Sequence, residues 1–485
     1  MRINSIGTLF LLLLLSIMVV SCNEDEDLSV TPLLDAAEEE ALRAGGGNGG
    51  GRGGDGRGGD DANALGAEIV TEWTDLLLEI ERYAEGMRPN ASARAMAYIY
   101  LAAYETARPN MRGYISNTER LNGFTLDDDL SDRDYEVELA LNACFADVLD
   151  HFLYNVPVEH NVAIDEMESE TREDLILNMT EQEIADAEAW GAYVAQQVIA
   201  YSQTDTEAEA QILEPQPRSY EPPTGPGFWT YSADPERALF PYWERVRTFA
   251  VSTEQTTTVD PIPYSTVPGS DYRNEMEEVY KVNNDAREED GEQLWIAEFW
   301  SDDVENLMMS PPVRQISIAN QLIDQYDLSL AESLELMARI GFSLNDAAVA
   351  AWKYKYQHMV MRPSVYLRDF VDPDYQTNLF RLVFWPNPGF PGYPSGHSAF
   401  ASAAGGIFIE TFGNRTNFTD RSHEGREEFR GAPRTFDSFE QLAEENAFSR
   451  IPLGVHIRMD CVEGLRLGYE IADGVNDLRL RQNAR

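Results

Sequence analysis

Between Trp352 and Asp460 the chain sets out three groups of residues whose types suit the capture of a compact, multiply charged oxyanion. The first pairs Lys355 with Arg362-Pro363. The second is Pro394-Ser395-Gly396-His397, followed by a small and apolar run to Phe412. The third is Ser449-Arg450, with His456 shortly after it and Asp460 four residues further on. The chain has only three lysines, at 281, 353 and 355, so two of them fall within three residues of each other here, and two of its six histidines, His397 and His456, belong to these groups.

Each group has its own chemistry and its own ordinary explanation. On one continuous helix, seven residues at about 100° each bring Lys355 and Arg362 to within about 20° of one face, and Pro363 then stops the helix. A Lys and an Arg seven apart are also what a solvated face carries. Proline and serine before a small, apolar run predict a helix N-terminus, where unpaired N–H groups and the positive dipole end favour anions. Gly396 lets an oxyanion approach the backbone, and His397 falls in the first turn over the same spot; an ordinary cap beside a histidine is the plainer alternative. His456 and Asp460, four apart, can share a hydrogen bond that fixes the imidazole tautomer and makes the histidine a nucleophile or a metal ligand. A buried His–Asp pair with no chemistry has the same spacing.

The elements that must hold these groups read as helices. Apolar residues recur at three and four residue spacings from Ile69 to Tyr83, and again from Ala93 to Tyr104 beyond Pro89-Asn90. Ser131 to Asp134 predicts an N-cap ahead of Leu139 to Phe152, and Thr180 with Glu183 predicts a capping box ahead of Ala189 to Ile199. A Pro, Gly and aromatic-rich loop, 215 to 249, is expected to wrap the helical body with its aromatics packed inward. Helices are then predicted over 274–284, 291–300, 313–326, 329–342 and 345–361. Alternating strand patterns are scarce and no fixed repeat is evident, so the expected architecture is an all-α helical bundle.

Composition narrows the partners. With 485 residues and 43% apolar content the chain can bury a sizeable core. A formal charge of −47 argues against nucleic acid or an anionic membrane surface as partner. Cys22, Cys144 and Cys461 lack the paired spacing of zinc or redox motifs, and the last two read as buried small hydrophobes. At the N-terminus, the apolar run from Ile6 to Val20 has the length of a signal-peptide core and ends in Val19-Val20-Ser21-Cys22. This resembles the lipobox of bacterial lipoproteins, which implies lipidation of Cys22 and an exported chain held at the outer membrane. The expected organisation is a signal peptide over 1–21, a flexible acidic and Gly-rich tether over 22–63, and a helical domain over 64–485 with its core at about 345–475. No later segment has the ~20 apolar residues of a membrane span.

Taken together, the three groups resemble the shared signature of the type 2 phosphatidic acid phosphatase and vanadium-dependent haloperoxidase superfamily. Ala297 to Asp302, Trp352 ahead of Lys355-Tyr356, and the Arg94 to Tyr104 helix are similar to bacterial members of the haloperoxidase branch. That resemblance implies vanadate as cofactor, with hydrogen peroxide and halide as substrates and hypohalous acid as product; a small organic acceptor is compatible with it. It further implies that Lys355, Arg362, Ser395, Gly396, His397 and Arg450 hold the oxyanion. His456 would be the axial vanadium ligand, oriented by Asp460. His397 would exchange protons, and Lys355 would polarise bound peroxide. Trp352 and Phe390 match positions beside the peroxide and halide in fungal-type chloroperoxidases, whereas algal bromoperoxidases carry a histidine at the Phe390 position.

Two other functions use the same residues. A soluble acid phosphatase would employ His456 as nucleophile through a phosphohistidine, with His397 protonating the leaving group. A lipoprotein that only binds an oxyanion would not need both imidazoles. Two departures from the haloperoxidase pattern stand out: Met361 precedes Arg362 where relatives have an aromatic, and the acidic, polar stretch from Asn414 to Glu445 reads as a surface excursion.

Overall fold

The computed structural model describes residues 61–118, 120–126, 135–232, 236–302, 304–379 and 388–482. The lipobox with Cys22, nearly all of the tether, and the Ser131 to Asp134 cap lie outside the described residues. The packed body takes in Ala62, which is fully buried and whose carbonyl accepts the Ala331 N–H at 3.0 Å.

The described chain is all-α apart from one short hairpin. Its helices are α1 (Glu68–Glu81), α2 (Asn90–Ala107), α3 (Val137–Phe152), α4 (Val158–Leu175), α5 (Glu181–Gln203), α6 (Thr206–Leu213), α7 (Asp271–Glu289), α8 (Glu292–Phe299), α9 (Pro311–Tyr326), α10 (Leu330–His358), α11 (Pro363–Phe370), α12 (Gly396–Phe412), α13 (Phe439–Phe448), α14 (Arg450–Leu453) and α15 (Arg458–Asn476). Strands β1 (Phe418–Asp420) and β2 (Arg434–Phe436) pair antiparallel between α12 and α13. Among the described residues, no helix is long and apolar enough to cross a membrane.

Local chemistry accounts for the helix starts. The Thr180–Glu183 capping box forms as expected: the Glu183 N–H donates to Thr180 Oγ1 at 3.3 Å and the Thr180 N–H to Glu183 Oε2 at 2.7 Å. Ser329 and Glu332 make the same exchange at the start of α10. All of α2 is buried, and α10 packs along it. Gly341 makes that approach possible, because a Cβ there would sit 2.9 Å from the Met96 carbonyl oxygen.

One expectation needs correction. The predicted helices 329–342 and 345–361 are a single 29-residue helix, α10. Asn345-Asp346 resembles a helix start, yet both side chains serve the neighbouring loop instead. Asp346 accepts the N–H groups of Phe249, Ala250 and Val251, each at 2.8 Å, and Asn345 Nδ2 donates to the Arg247 carbonyl. The polar pair therefore pins the end of the 215–249 loop to the middle of a helix. That loop is packed as expected: Trp229 and Trp243 are fully buried, and the Trp229 N–H donates to the Met359 carbonyl at 2.6 Å.

Helices α12 and α15 make the most extensive helix pair. Glycines let their backbones meet, since a Cβ on Gly468 would lie 2.3 Å from the Ala399 carbonyl oxygen and one on Gly464 would lie 2.5 Å from that of Ser395. This contact sets the second and third residue groups side by side. Cys144 and Cys461 are both free and buried.

Candidate active site

Three segments converge. From α10 come Trp352 and Lys355. The turn after it corrects a second expectation. The helix ends at His358, and Met359 adopts the left-handed conformation at φ 52°. Arg362 therefore does not share a helix face with Lys355, and Pro363 opens α11 as its first residue instead of ending a helix. Both cations nevertheless reach one place, with Arg362 brought there by the turn. The Met361 N–H donates to the Gly227 carbonyl, so the 215–249 loop supports that turn.

Ser395 caps α12 as expected, its Oγ accepting the Ser398 N–H at 3.3 Å. The Ser395 N–H in turn donates to the Asp460 carbonyl at 2.9 Å, tying this cap to the third group. His456 lies in the loop before α15 and Asp460 in its first turn, so their four-residue spacing works across a loop-to-helix junction. His456 Nδ1 donates to Asp460 Oδ2 at 2.9 Å. Nε2 then carries the lone pair, and Arg362 Nη1 donates to it at 3.1 Å. Arg362 also holds the Val455 and Phe390 carbonyls, at 3.0 and 2.9 Å.

Lys355 is fully buried, and its Nζ donates to the carbonyls of Pro391, Gly392 and Pro394 at 3.1, 3.0 and 2.5 Å. Three carbonyls occupy an ammonium's three donors. Lys355 thus supplies buried charge and holds the 391–394 turn, and a direct bond to an anion would exchange one of these carbonyls. His397 Nε2 lies 3.1 Å from the Ser301 carbonyl oxygen, and Arg450 Nη1 donates to the same oxygen at 3.2 Å and to that of Trp300 at 3.3 Å. Phe390 lies over the cations: its centroid is 4.7 Å from Trp352, 5.2 Å from Lys355 Nζ and 5.0 Å from Arg362 Cζ.

The electrostatics are strongly positive. Lys355, Arg362, Arg450, His397 and His456 are all buried. Burial, Arg362, Lys355, Arg450 and His397 together hold His456 well below the ordinary imidazole pKa, which keeps it neutral. Burial and the two guanidiniums likewise depress Lys355, against the attraction of Asp460. Burial pushes the Asp460 carboxyl up, opposed by Lys355 and Arg362. Three buried cations around one carboxylate are stabilised by an added anion. The residues therefore fit an oxyanion such as vanadate. The glycine at 396 fits it too: a Cβ there would project to within 3.4 Å of the Trp352 ring and 3.9 Å of Lys355 Cε.

A cavity of about 370 Å³ opens over this cluster. Gly396, His397, Arg450, His456, Trp352 and Phe390 line it, so six of the expected residues share one wall system; Ser395, Lys355, Arg362 and Asp460 stand behind it. Cys22 lies outside the described residues. Sequence reasoning assigned no role to Ser301 and Asp302, although the segment around them was noticed, and it missed Arg314 and His423 altogether. The reading of 414–445 as a surface excursion is corrected in part, because Asp420 and His423 within it are buried.

Comparison with known proteins agrees with this geometry. A family model described as "VCPO second helical-bundle domain" matches residues 335–483. The vanadium chloroperoxidase of Curvularia inaequalis is 28% identical over 215 residues, which span 33% of this chain and about a third (35%) of the curated relative. A bacterial vanadium-dependent iodoperoxidase structure superposes with a TM-score of 0.72 at 26% identity, covering 85% of this chain and 96% of the other. A holo bacterial vanadium-dependent chloroperoxidase shares the fold at a TM-score of 0.61 and 14% identity, over 81% and 93% of the two chains. Fold and site thus define an all-α, oxyanion-cradling bundle of the haloperoxidase kind. The chain is similar to vanadium haloperoxidases in its fold and, over residues 335–483, in its second helical bundle.

Proposed function

We propose that this protein is a vanadate-dependent haloperoxidase, using hydrogen peroxide to oxidise halide to hypohalous acid. The observation that carries the reading is the placement of His456, its Nδ1 fixed by Asp460 at 2.9 Å and its Nε2 facing Arg362 within a buried cluster that also holds Lys355 and Arg450. Vanadate bound there supplies a Lewis acid that activates peroxide toward halide.

The chain's residues do the rest. Asp460 holds His456 in the tautomer whose Nε2 can bind a metal. Arg362, Arg450 and the first turn of α12 neutralise and orient the oxyanion. Lys355 contributes charge from behind Gly396 and is the nearest ammonium to the cradle. His397, oriented by the Ser301 carbonyl, accepts a proton from incoming peroxide and returns it when product leaves. Trp352 and Phe390 form an apolar wall that keeps water from the cations and leaves room for a halide.

The deciding experiment incubates purified protein with vanadate, then assays peroxide with chloride, bromide and iodide in turn, beside an aryl phosphate. Halide oxidation that depends on vanadate supports the reading; phosphate release with no halide oxidation would overturn it in favour of the phosphatase. We also propose export and lipidation at Cys22, outside the described residues. Cys22→Ser should release the protein from the membrane fraction, and its retention there would refute the anchor.

A further inference from the structure

The stretch between α12 and α13 sends a third imidazole, His423, toward the site. Arg314 of α9 is fully buried and donates through Nε and Nη2 to Asp420 Oδ2 at 3.1 and 2.9 Å. Its Nη1 lies 3.5 Å from Asp302 Oδ1, and His423 Nε2 lies 3.1 Å from that same oxygen. The other Asp420 oxygen accepts the Ser422 N–H and hydroxyl, at 2.9 and 2.6 Å. Phe299 and Phe429 hold the His423 ring edge-on, with centroids 5.7 and 4.8 Å away. Burial and the charges of Arg314, Arg426 and Arg82 hold this imidazole neutral, against the pull of Asp420. A neutral ring facing a carboxylate with Nε2 donates that N–H to it.

Asp302 needs such a hold. It is fully buried, lines the cavity, and has φ 44°, in the left-handed region that a non-glycine residue enters only with strain. The residue before it, Ser301, presents the carbonyl that meets both His397 and Arg450. Rotation at Asp302 would swing that carbonyl away from both.

We propose that His423 is a positioning residue of this site: its N–H to Asp302 keeps the Ser301–Asp302 turn left-handed and so aims the Ser301 carbonyl at His397 and Arg450. The proposal rests on the reading of His397 and Arg450 as oxyanion-handling groups. It makes the hairpin region a working part of the active site, with Arg314 and Asp420 as its frame. The alternative is that His423 merely fills space between Phe299 and Phe429.

Two conservative variants separate these. His423→Gln carries an amide N–H at about the reach of Nε2, whereas His423→Asn is one bond too short. Each is compared with wild type by crystal structure without vanadate and by calorimetric titration with vanadate. The expected result is that His423→Asn separates Ser301 O from His397 Nε2 and weakens vanadate binding about tenfold or more. His423→Gln should keep the contact and bind within about twofold of wild type. The proposal is overturned if His423→Asn retains both Ser301 contacts. Should that variant not fold, His423→Phe, which fills the aromatic box without a donor, is judged by the same contacts. If wild type fails to bind vanadate while the Ser301 contacts still depend on residue 423, the proposed function falls and the positioning role stands.

Discussion

Burial and four positively charged or protonatable groups outweigh the one carboxylate beside His456 and oppose its protonation, and that carboxylate engages Nδ1. Asp460 consequently matters through tautomer choice more than through charge. Asp460 Oδ2 accepts both His456 Nδ1–H and the Ile457 N–H, at 2.9 and 3.3 Å. In Asp460→Asn the amide can offer N–H to Nδ1, which moves the ring proton to Nε2 and removes the lone pair from the cradle. Vanadate affinity should drop roughly 10–100-fold, read by calorimetry, with near-wild-type far-UV circular dichroism. Affinity within twofold of wild type would mean that the tautomer is set elsewhere.

At the scale of elements, the site depends on how closely α12 and α15 approach. Gly464→Ala places a methyl 2.5 Å from the Ser395 carbonyl oxygen and 2.7 Å from Ser398 Cβ, so the helices must part beside the cap that carries His397. We expect a stability loss of about 1–3 kcal/mol in denaturant titrations together with weaker vanadate binding. The α10–loop junction gives a pH-dependent prediction. Burial lifts the Asp346 carboxyl to about 6, despite three backbone N–H groups that pull it down. The folded state then holds this proton where the unfolded chain has released it, so the group's contribution to stability declines as pH rises from about 4 through about 6. Asp346→Asn lacks the titration and also loses hydrogen bonds to the 249–251 backbone. The stability advantage of wild type over Asp346→Asn should therefore shrink by roughly 2 kcal/mol between pH 4 and pH 7, measured by urea unfolding. A constant difference across that range would show that Asp346 does not titrate as described.

Elements also show where reading the sequence succeeds. The Thr180–Glu183 box and the Ser395 cap are local, depending on residues three apart, and both form as expected. The His456–Asp460 bond is similarly short-range. Arg362 reached the right place by a different path, because the left-handed turn at Met359 carries no glycine to announce it. Asn345-Asp346 misled for a physical reason: the same side chains cap a helix or a distant loop, and only the tertiary fold decides which. His423 meets Asp302, and Asp420 meets Arg314, across more than a hundred residues in the chain, and their polar types fit a surface segment equally well.

For the whole molecule, charge is the dominant long-range property. Under the proposed haloperoxidase function, a formal charge of −47 repels an approaching halide at low ionic strength, with Glu85, Glu305 and Asp302 placing part of that charge at the cavity. The kcat/KM for halide should rise several-fold as an inert salt goes from about 10 to about 200 mM, where the Debye length falls below about 10 Å. The KM for peroxide, a neutral molecule, should stay level under the same titration. Equal salt responses for both substrates would show that the field does not govern halide entry.

Helix α10 has a consequence for how this chain can change length. Its 29 residues make a rod of about 43 Å, with Gly341 seated against α2 and Lys355 at the cradle. One residue inserted between those two points would turn Trp352 and Lys355 by about 100° relative to the Gly341 contact. An insertion or deletion between positions 341 and 355 would thus break the register of the site with the bundle, whereas one in a loop that touches neither need not. This stretch therefore acts as a fixed spacer between the packing of the bundle and its reaction centre.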